Sequence, residues 1–211
     1  MPHIEINNSE EPIRLFKSDF MEFFTHISPI AVLVIWVPVV IAFLVIGYQK
    51  AVNGYGFLPA GFLIGLFIWT ISEYILHRFL FHFKPSNPWQ ERAAFLFHGV
   101  HHAQPKVKTR LVMPPIVSIP LALIFLGLFY LVFNNLLSTL QWMYPTFAGF
   151  ISGYLVYDMM HYATHHFPMR KGIWKTLKRL HMQHHYKYPD KLYGVSSPLW
   201  DYVFDTTMKE E

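Results

Sequence analysis

Three stretches of this 211-residue chain contain no Asp, Glu, Lys or Arg: residues 23–49, 51–72 and 111–157. A bilayer span needs about 20 mainly apolar residues at 1.5 Å rise each. The first two stretches therefore predict one span each, near 27–48 and 55–76. The third is 47 residues long, too long for one span and suited to two, near 116–133 and 137–157, with Asn134 and Asn135 at the turn between them. The expected fold is an all-α integral membrane protein of about four transmembrane helices. A charged fraction of 14%, against about 25% in an ordinary soluble domain, argues against a soluble helical protein.

The basic residues test this arrangement independently. Sixteen of the 17 Lys and Arg residues fall on one side of a four-span topology, and only Lys50 lies in a connection on the other. By the positive-inside rule both termini are cytoplasmic, in a bacterial inner membrane or the endoplasmic reticulum. The net charge of +4 is thus expected to serve membrane orientation, and no nucleic-acid partner is expected. Glu5, Glu10, Glu11, Asp19 and Glu22 precede the first apolar run, where a signal peptide would be basic. Residues 1–26 are expected to be a cytosolic segment and 27–211 a single membrane domain, with a cytosolic cap from 77–110 and 158–211. Pro38, Gly61, Gly65, Pro120, Gly127, Gly149 and Gly153 within the spans are tolerated in membrane helices and permit close packing.

Cysteine is absent, so any metal must use nitrogen or oxygen ligands. Thirteen histidines are present, and eleven lie in four groups: His77 and His82; His98, His101 and His102; His161, His165 and His166; His181, His184 and His185. Each group sits at or beyond the cytoplasmic end of an expected span. Offsets of 0, 3 and 4 place residues on one helical face, so each HxxHH is read as one turn presenting three rings to one point. His77 and His82, five apart, are expected to serve different metals or to straddle a helix end. Imidazole suits iron, zinc, copper and nickel, and ten or eleven rings exceed one ion's capacity, so two metals are expected. Glu73, four before His77, and Asp158, three before His161, are candidates to hydrogen-bond the far ring nitrogens. His3 and His26 belong to no group. At the ordinary histidine pKa of ~6.5, metal loss is expected to begin below about pH 6.

The run Glu73-Tyr-Ile-Leu-His77-Arg-Phe-Leu-Phe-His82, the HxxHH at 98–102, Tyr157-Asp-Met-Met-His161-Tyr-Ala-Thr-His165-His166 and the HxxHH at 181–185 resemble the membrane-bound fatty acid hydroxylase superfamily. The segment Tyr193-Gly-Val-Ser-Ser-Pro-Leu-Trp-Asp-Tyr-Val-Phe204 is similar to the tail of its fatty acid 2-hydroxylase branch. The resemblance implies a non-haem diiron oxygenase that uses O2 and two external electrons to hydroxylate carbon 2 of a fatty acyl chain, often in a sphingolipid. It implies ten ligands: His77, His82, His98, His101, His102, His161, His165, His181, His184 and His185, with His166 left as a neighbour and no catalytic residue beyond the ligands. Iron is the expected metal in the active enzyme, and zinc can occupy purified protein. The chain departs from the family in ending Phe204-Asp-Thr206 where Phe-Gly-Thr is usual.

Gly54-Tyr-Gly56 is followed by Phe-Leu-Pro and is no dinucleotide fingerprint, no His-Pro-Gly-Gly haem motif occurs, and 26 residues before the first span cannot hold a cytochrome b5 domain. A separate donor, cytochrome b5 or a ferredoxin with its reductase, is therefore an expected partner. Phe79, Phe81, Phe83, Phe95 and Phe97 are candidates to line an acyl path. The rival readings are a sterol or carotenoid hydroxylase or a desaturase of the same superfamily, and a non-enzymatic histidine-rich metal carrier.

Overall fold

The computed structural model describes residues 6–52 and 54–208, and His3 lies outside them. Among the described residues the chain is helical, with no strand. A short helix α1 (Asp19–Phe23) precedes α2 (Pro29–Gln49), whose start is fixed by Pro29 in its first turn and by Ser28 Oγ, which accepts the Ala31 N–H at 3.1 Å. Helix α3 (Phe57–Ile75) runs on as a π-helical turn, Leu76–Phe81. Then come α4 (Pro88–Ala94), a second π-turn at Phe95–Gly99, α5 (Val100–Ala103) and α6 (Pro115–Tyr130). Helices α7 (Leu140–His166), α8 (Gly172–Tyr186) and α9 (Leu199–Val203) complete the chain.

Three segments are long and apolar enough to cross a membrane: Pro29–Gln49, Phe57–Phe81 and Lys108–Leu136. Their outer faces carry exposed large apolar residues, among them Ile30, Val34, Leu63, Phe67, Leu123 and Ile124, as a lipid-facing surface requires. Helix α7 is different. It is the bundle's centre, burying Phe147, Phe150, Ile151, Tyr154 and Tyr157 against α2, α3 and α6. A helix surrounded by protein has no need of an apolar surface all round.

Helix α7 runs on past 157, the expected end of the last span, to His166, and Asp158 within it is buried and hydrogen-bonded. The turn expected at Asn134 and Asn135 lies a few residues later: a π-turn spans Leu131–Leu136, and Ser138 takes a positive φ of 51°.

The expected glycine contact is between α3 and α7. A Cβ on Gly65 would lie 1.9 Å from the Thr146 carbonyl oxygen, and one on Gly149 would lie 2.0 Å from the Phe62 carbonyl oxygen. The two backbones touch at Gly65 and Gly149, while Gly61 and Gly153, four residues away on each helix, make room for the side chains of Pro145 and Trp69, the small-residue packing that substitutes in membranes for a hydrophobic driving force. This contact sets where the histidine-bearing ends of α3 and α7 stand.

Candidate metal centre

Ten histidines converge at one end of the bundle in two groups of five. His77, His82, His98, His102 and His184 form one, and His101, His161, His165, His181 and His185 the other, with the candidate ligand atoms of each group within 4.8 Å of one another. These are the ten expected positions. His166 stays outside both groups, packing its ring on Tyr162. His26 also lies apart, with Nδ1 2.8 Å from Thr109 Oγ1.

The local helix geometry explains the division. Within each HxxHH, the pair four apart shares a face, and the residue between them is turned away by about 100° from its successor. His98 and His102 therefore enter the first group while His101 enters the second. His181 and His185 enter the second while His184 enters the first. The expectation that each motif aims three rings at one point is thus corrected: each motif serves both groups. His77 and His82 fall in the same group because the π-turn, closed by the His82 N–H to His77 carbonyl bond at 3.1 Å, brings residues five apart to one side.

Within the first group Nε2 of His98 lies 3.1 Å from Nε2 of both His77 and His102, and His184 Nε2 lies 3.0 Å from His82 Nε2. In the second, His101 Nε2 is 2.9 Å from His185 and 2.8 Å from His161, and His165 is 2.9 Å from His181. Two nitrogens each ~2.1 Å from a shared ion and at right angles about it are roughly 3.0 Å apart. Several ring nitrogens crowded at this spacing cannot all be matched as donor and acceptor, whereas a cation among them satisfies every lone pair. The donor set fits a metal site. The two groups adjoin, with the rings of His102 and His185 stacked at 4.1 Å.

Burial keeps the rings neutral. His98, His101, His102, His181 and His185 are held well below the ordinary imidazole pKa, first by desolvation and then by neighbouring rings. Desolvation brings His184 down to about 4. Tautomers are set by backbone carbonyls: Nδ1–H of His77 donates to Tyr193 at 2.5 Å and that of His184 to Lys191 at 2.6 Å. A proton on Nδ1 leaves the Nε2 lone pair free to ligate. Between those two carbonyls sits Leu192, buried, with φ of 59°. A left-handed leucine is strained backbone at a functional position.

The two carboxylates expected to touch ring nitrogens do not. Glu73 Oε1 accepts the N–H groups of Val195 (2.7 Å) and Ser196 (2.8 Å), and Oε2 accepts the Ser196 hydroxyl. Asp158 accepts the Met113 N–H at 3.1 Å and the Tyr154 hydroxyl at 3.1 Å. Both fasten chain segments instead: Glu73 the loop that presents the Tyr193 carbonyl, Asp158 the entry to α6. Asp201, which sequence reasoning missed, holds the same loop from its other side through the N–H groups of Tyr193 and Gly194, both at 2.8 Å. Its only sequence signal is its place in the tail segment. A Cβ on Gly194 would lie 2.1 Å from the Ser197 carbonyl oxygen, so the loop needs glycine there.

A cavity of about 400 Å³ opens beside both groups, bordered by His98 of the first and by His101 and His161 of the second. Its walls include Phe81, Leu96, Phe97, Val112 and Met113. Of the five phenylalanines expected to line an acyl path, Phe81 and Phe97 do so, and Phe79, Phe83 and Phe95 lie outside it. Trp89, Phe97 and Ile116 also line the cavity while being 77%, 48% and 51% exposed. The exposed edge of the cavity is thus largely apolar, with the exposed Arg92 also lining it.

Comparison with known proteins follows this geometry. The model of the fatty acid hydroxylase family matches residues 62–206. The dihydroceramide fatty acyl 2-hydroxylase of Arabidopsis thaliana is 38% identical over 204 residues, which cover 97% of this chain and 83% of that protein. The fatty acid 2-hydroxylase of Rattus norvegicus is 36% identical, over 95% of this chain and 58% of its own. The solved structure of full-length scs7p, in which only the hydroxylase domain is visible, superposes with a TM-score of 0.81 at 38% identity, covering 90% of this chain and 70% of that one.

Proposed function

This chain belongs to the fatty acid hydroxylase family, and from that premise we propose that it hydroxylates fatty acyl chains at carbon 2 at a pair of metal ions held by its ten clustered histidines. It is an oxidoreductase of lipid metabolism and a multi-pass membrane protein. The observation that carries the proposal is the apolar cavity bordered by His98, His101 and His161, histidines of both groups. An acyl chain in that cavity has its C–H bonds beside the centre and its path shielded from water.

His77, His82, His98, His102 and His184 hold one ion, and His101, His161, His165, His181 and His185 the other. The expected ions are iron, which supply the activation of O2 that C–H hydroxylation requires. The Tyr193 and Lys191 carbonyls fix the ring tautomers, with Glu73 and Asp201 holding the Tyr193 loop. The exposed apolar mouth at Trp89, Phe97 and Ile116 admits the lipid from the bilayer, and the desolvated rings stay neutral through the working pH range.

The reading has four spans, Leu140–His166 being the fourth, with both termini, a cytosolic cap and the histidines on the cytoplasmic side, supported by the sidedness of the basic residues. Two electrons per turnover come from a separate donor such as cytochrome b5 or a ferredoxin with its reductase. The substrates named for the relatives point to a ceramide or dihydroceramide as acyl carrier.

Lipid mass spectrometry of cells expressing the protein with a reductase, under ¹⁸O2, tests the proposal. One labelled oxygen at acyl carbon 2, absent with His184→Ala, is expected. Labelled sterols or carotenoids with unchanged acyl chains would move the protein to another branch of the superfamily.

A further inference from the structure

Five of the cavity's lining residues come from outside the stretch that the family model matches. Leu15, Phe16, Met21, Phe24 and Thr25 line it, and all precede residue 62, where that match begins. Segment 7–27 is fastened to the loop that follows the second histidine motif. Asn7 N–H donates to the Ala103 carbonyl at 2.7 Å, and Ile27 N–H to that of Thr109 at 2.9 Å. Gln104 donates to the Glu11 carbonyl at 3.0 Å and accepts from Ile13 N–H at 2.9 Å. Arg110 donates to the Ile13 carbonyl and to Glu22, both at 2.5 Å.

Gln104 and Arg110 are buried, and their hydrogen bonds are spent on this segment. The segment thus takes up a buried amide and an ion pair whose arginine is buried. Glu22 in turn accepts the N–H groups of Leu15 and Phe16, at 2.9 and 2.8 Å. The Glu22–Arg110 pair thereby fixes the backbone at two residues that face the cavity. Along α1 and its end the side chains divide: Met21 and Phe24 line the cavity, and Phe20 and Phe23 are 71% and 74% exposed.

We propose that residues 15–25 are the wall that selects which acyl chain the cavity accepts, with Phe16, Met21 and Phe24 as specificity-determining side chains and the Glu22–Arg110 pair holding them in place. The proposal rests on the hydroxylase reading above and extends it to substrate choice. A change of one methylene's worth of space in an apolar pocket alters discrimination roughly tenfold or more, so single substitutions in this wall redistribute products among chain lengths.

The test uses the full chain in lipid nanodiscs. A ceramide with a photoreactive diazirine at the end of its acyl chain is irradiated with the protein and the adducts are mapped. Hydroxylation is then measured on a ladder of acyl chain lengths in competition, for Phe16→Ala, Met21→Trp and the exposed-position control Phe23→Ala. Adducts within residues 15–25 are expected. The ratio of longer to shorter products should rise about fivefold or more in Phe16→Ala, fall in Met21→Trp and stay unchanged in Phe23→Ala. Adducts confined to other residues, or wild-type ratios in both cavity variants, overturn the proposal. If a variant does not fold, the wild-type adduct map decides alone. Adducts in the wall without any hydroxylated lipid refute the hydroxylase reading instead, so the two failures are distinct.

Discussion

Replacing Gly65 by Ala puts one methyl group into the α3–α7 contact, and the structure sets the consequence. The new Cβ would lie 1.9 Å from the Thr146 carbonyl oxygen and 2.7 Å from the Phe150 nitrogen, both backbone atoms of α7 that no rotamer change removes. Reaching an ordinary 3.4 Å contact parts the helices by roughly 1.5 Å. Twelve residues onward, about 18 Å along each helix, α3 leads into His77 and α7, from the matching Gly149, carries His161. Metal–nitrogen distances tolerate about ±0.2 Å, so a 1.5 Å displacement of His77 from His98, or of His161 from His101, exceeds what either group absorbs. Overpacking costs about 1–3 kcal/mol, and an ångström of misplacement costs about 10²-fold in rate. Gly127 on α6, with open space at its Cβ position, is the control: Gly127→Ala should be neutral or stabilising by up to about 1 kcal/mol. Thermal unfolding in detergent, metal content and product formation are compared for both variants. A Gly65→Ala protein with full metal content and wild-type turnover would refute the claim that this contact positions the centre.

Four further outcomes follow. His101→Ala should lose activity and metal while His166→Ala and His26→Ala keep both, measured by metal analysis and product assay; an inactive His26→Ala would show that the grouping is incomplete. Metal-free protein should lose thermal stability as pH falls from 6.5 toward 4, because the unfolded chain then binds protons that the buried rings refuse. His184 alone, at about 4 folded and ~6.5 unfolded, costs on the order of 1 kcal/mol at pH 5.5; a metal-free protein whose unfolding temperature does not fall between pH 6.5 and 5 would contradict this. Asp201→Asn should loosen the Tyr193 loop and lower metal affinity about 10–100-fold without unfolding the bundle, and unchanged affinity in a chelator titration would count against the role given to that loop. Asp205 takes φ of 51°, so Asp205→Ala should be less stable than Asp205→Gly by about 1 kcal/mol; scanning calorimetry of the two variants decides, and equal stability would contradict the strain.

Much of the architecture was legible because charge cannot be hidden cheaply in lipid: the charge-free run at 23–49 contains the helix Pro29–Gln49, and the run at 51–72 contains all but the last three residues of the helix Phe57–Ile75. The same rule did not announce that α7 runs on through Asp158, whose carboxylate is satisfied by the Tyr154 hydroxyl and by the Met113 N–H, far away in sequence. The ten histidines were legible as a set, and their division was not. It depends on which face each residue of an HxxHH takes and on a π-turn at Leu76–Phe81 that no periodicity announces. Glu73 shows the limit of spacing arguments: four residues before His77 it lies on the same helix, yet its oxygens find the backbone of Val195 and Ser196. The wall built by Phe16, Met21 and Phe24 left no pattern at all, because its partners Gln104 and Arg110 are reached only through the folded chain.

The most direct test of the two-group centre is quantitative metal analysis of the purified chain loaded with iron under reducing conditions, beside His101→Ala. The account predicts two ions per wild-type chain and one in the variant, because His101 serves only the second group while the first keeps its five rings. A single ion in the wild type, or two retained at full affinity in His101→Ala, would contradict it.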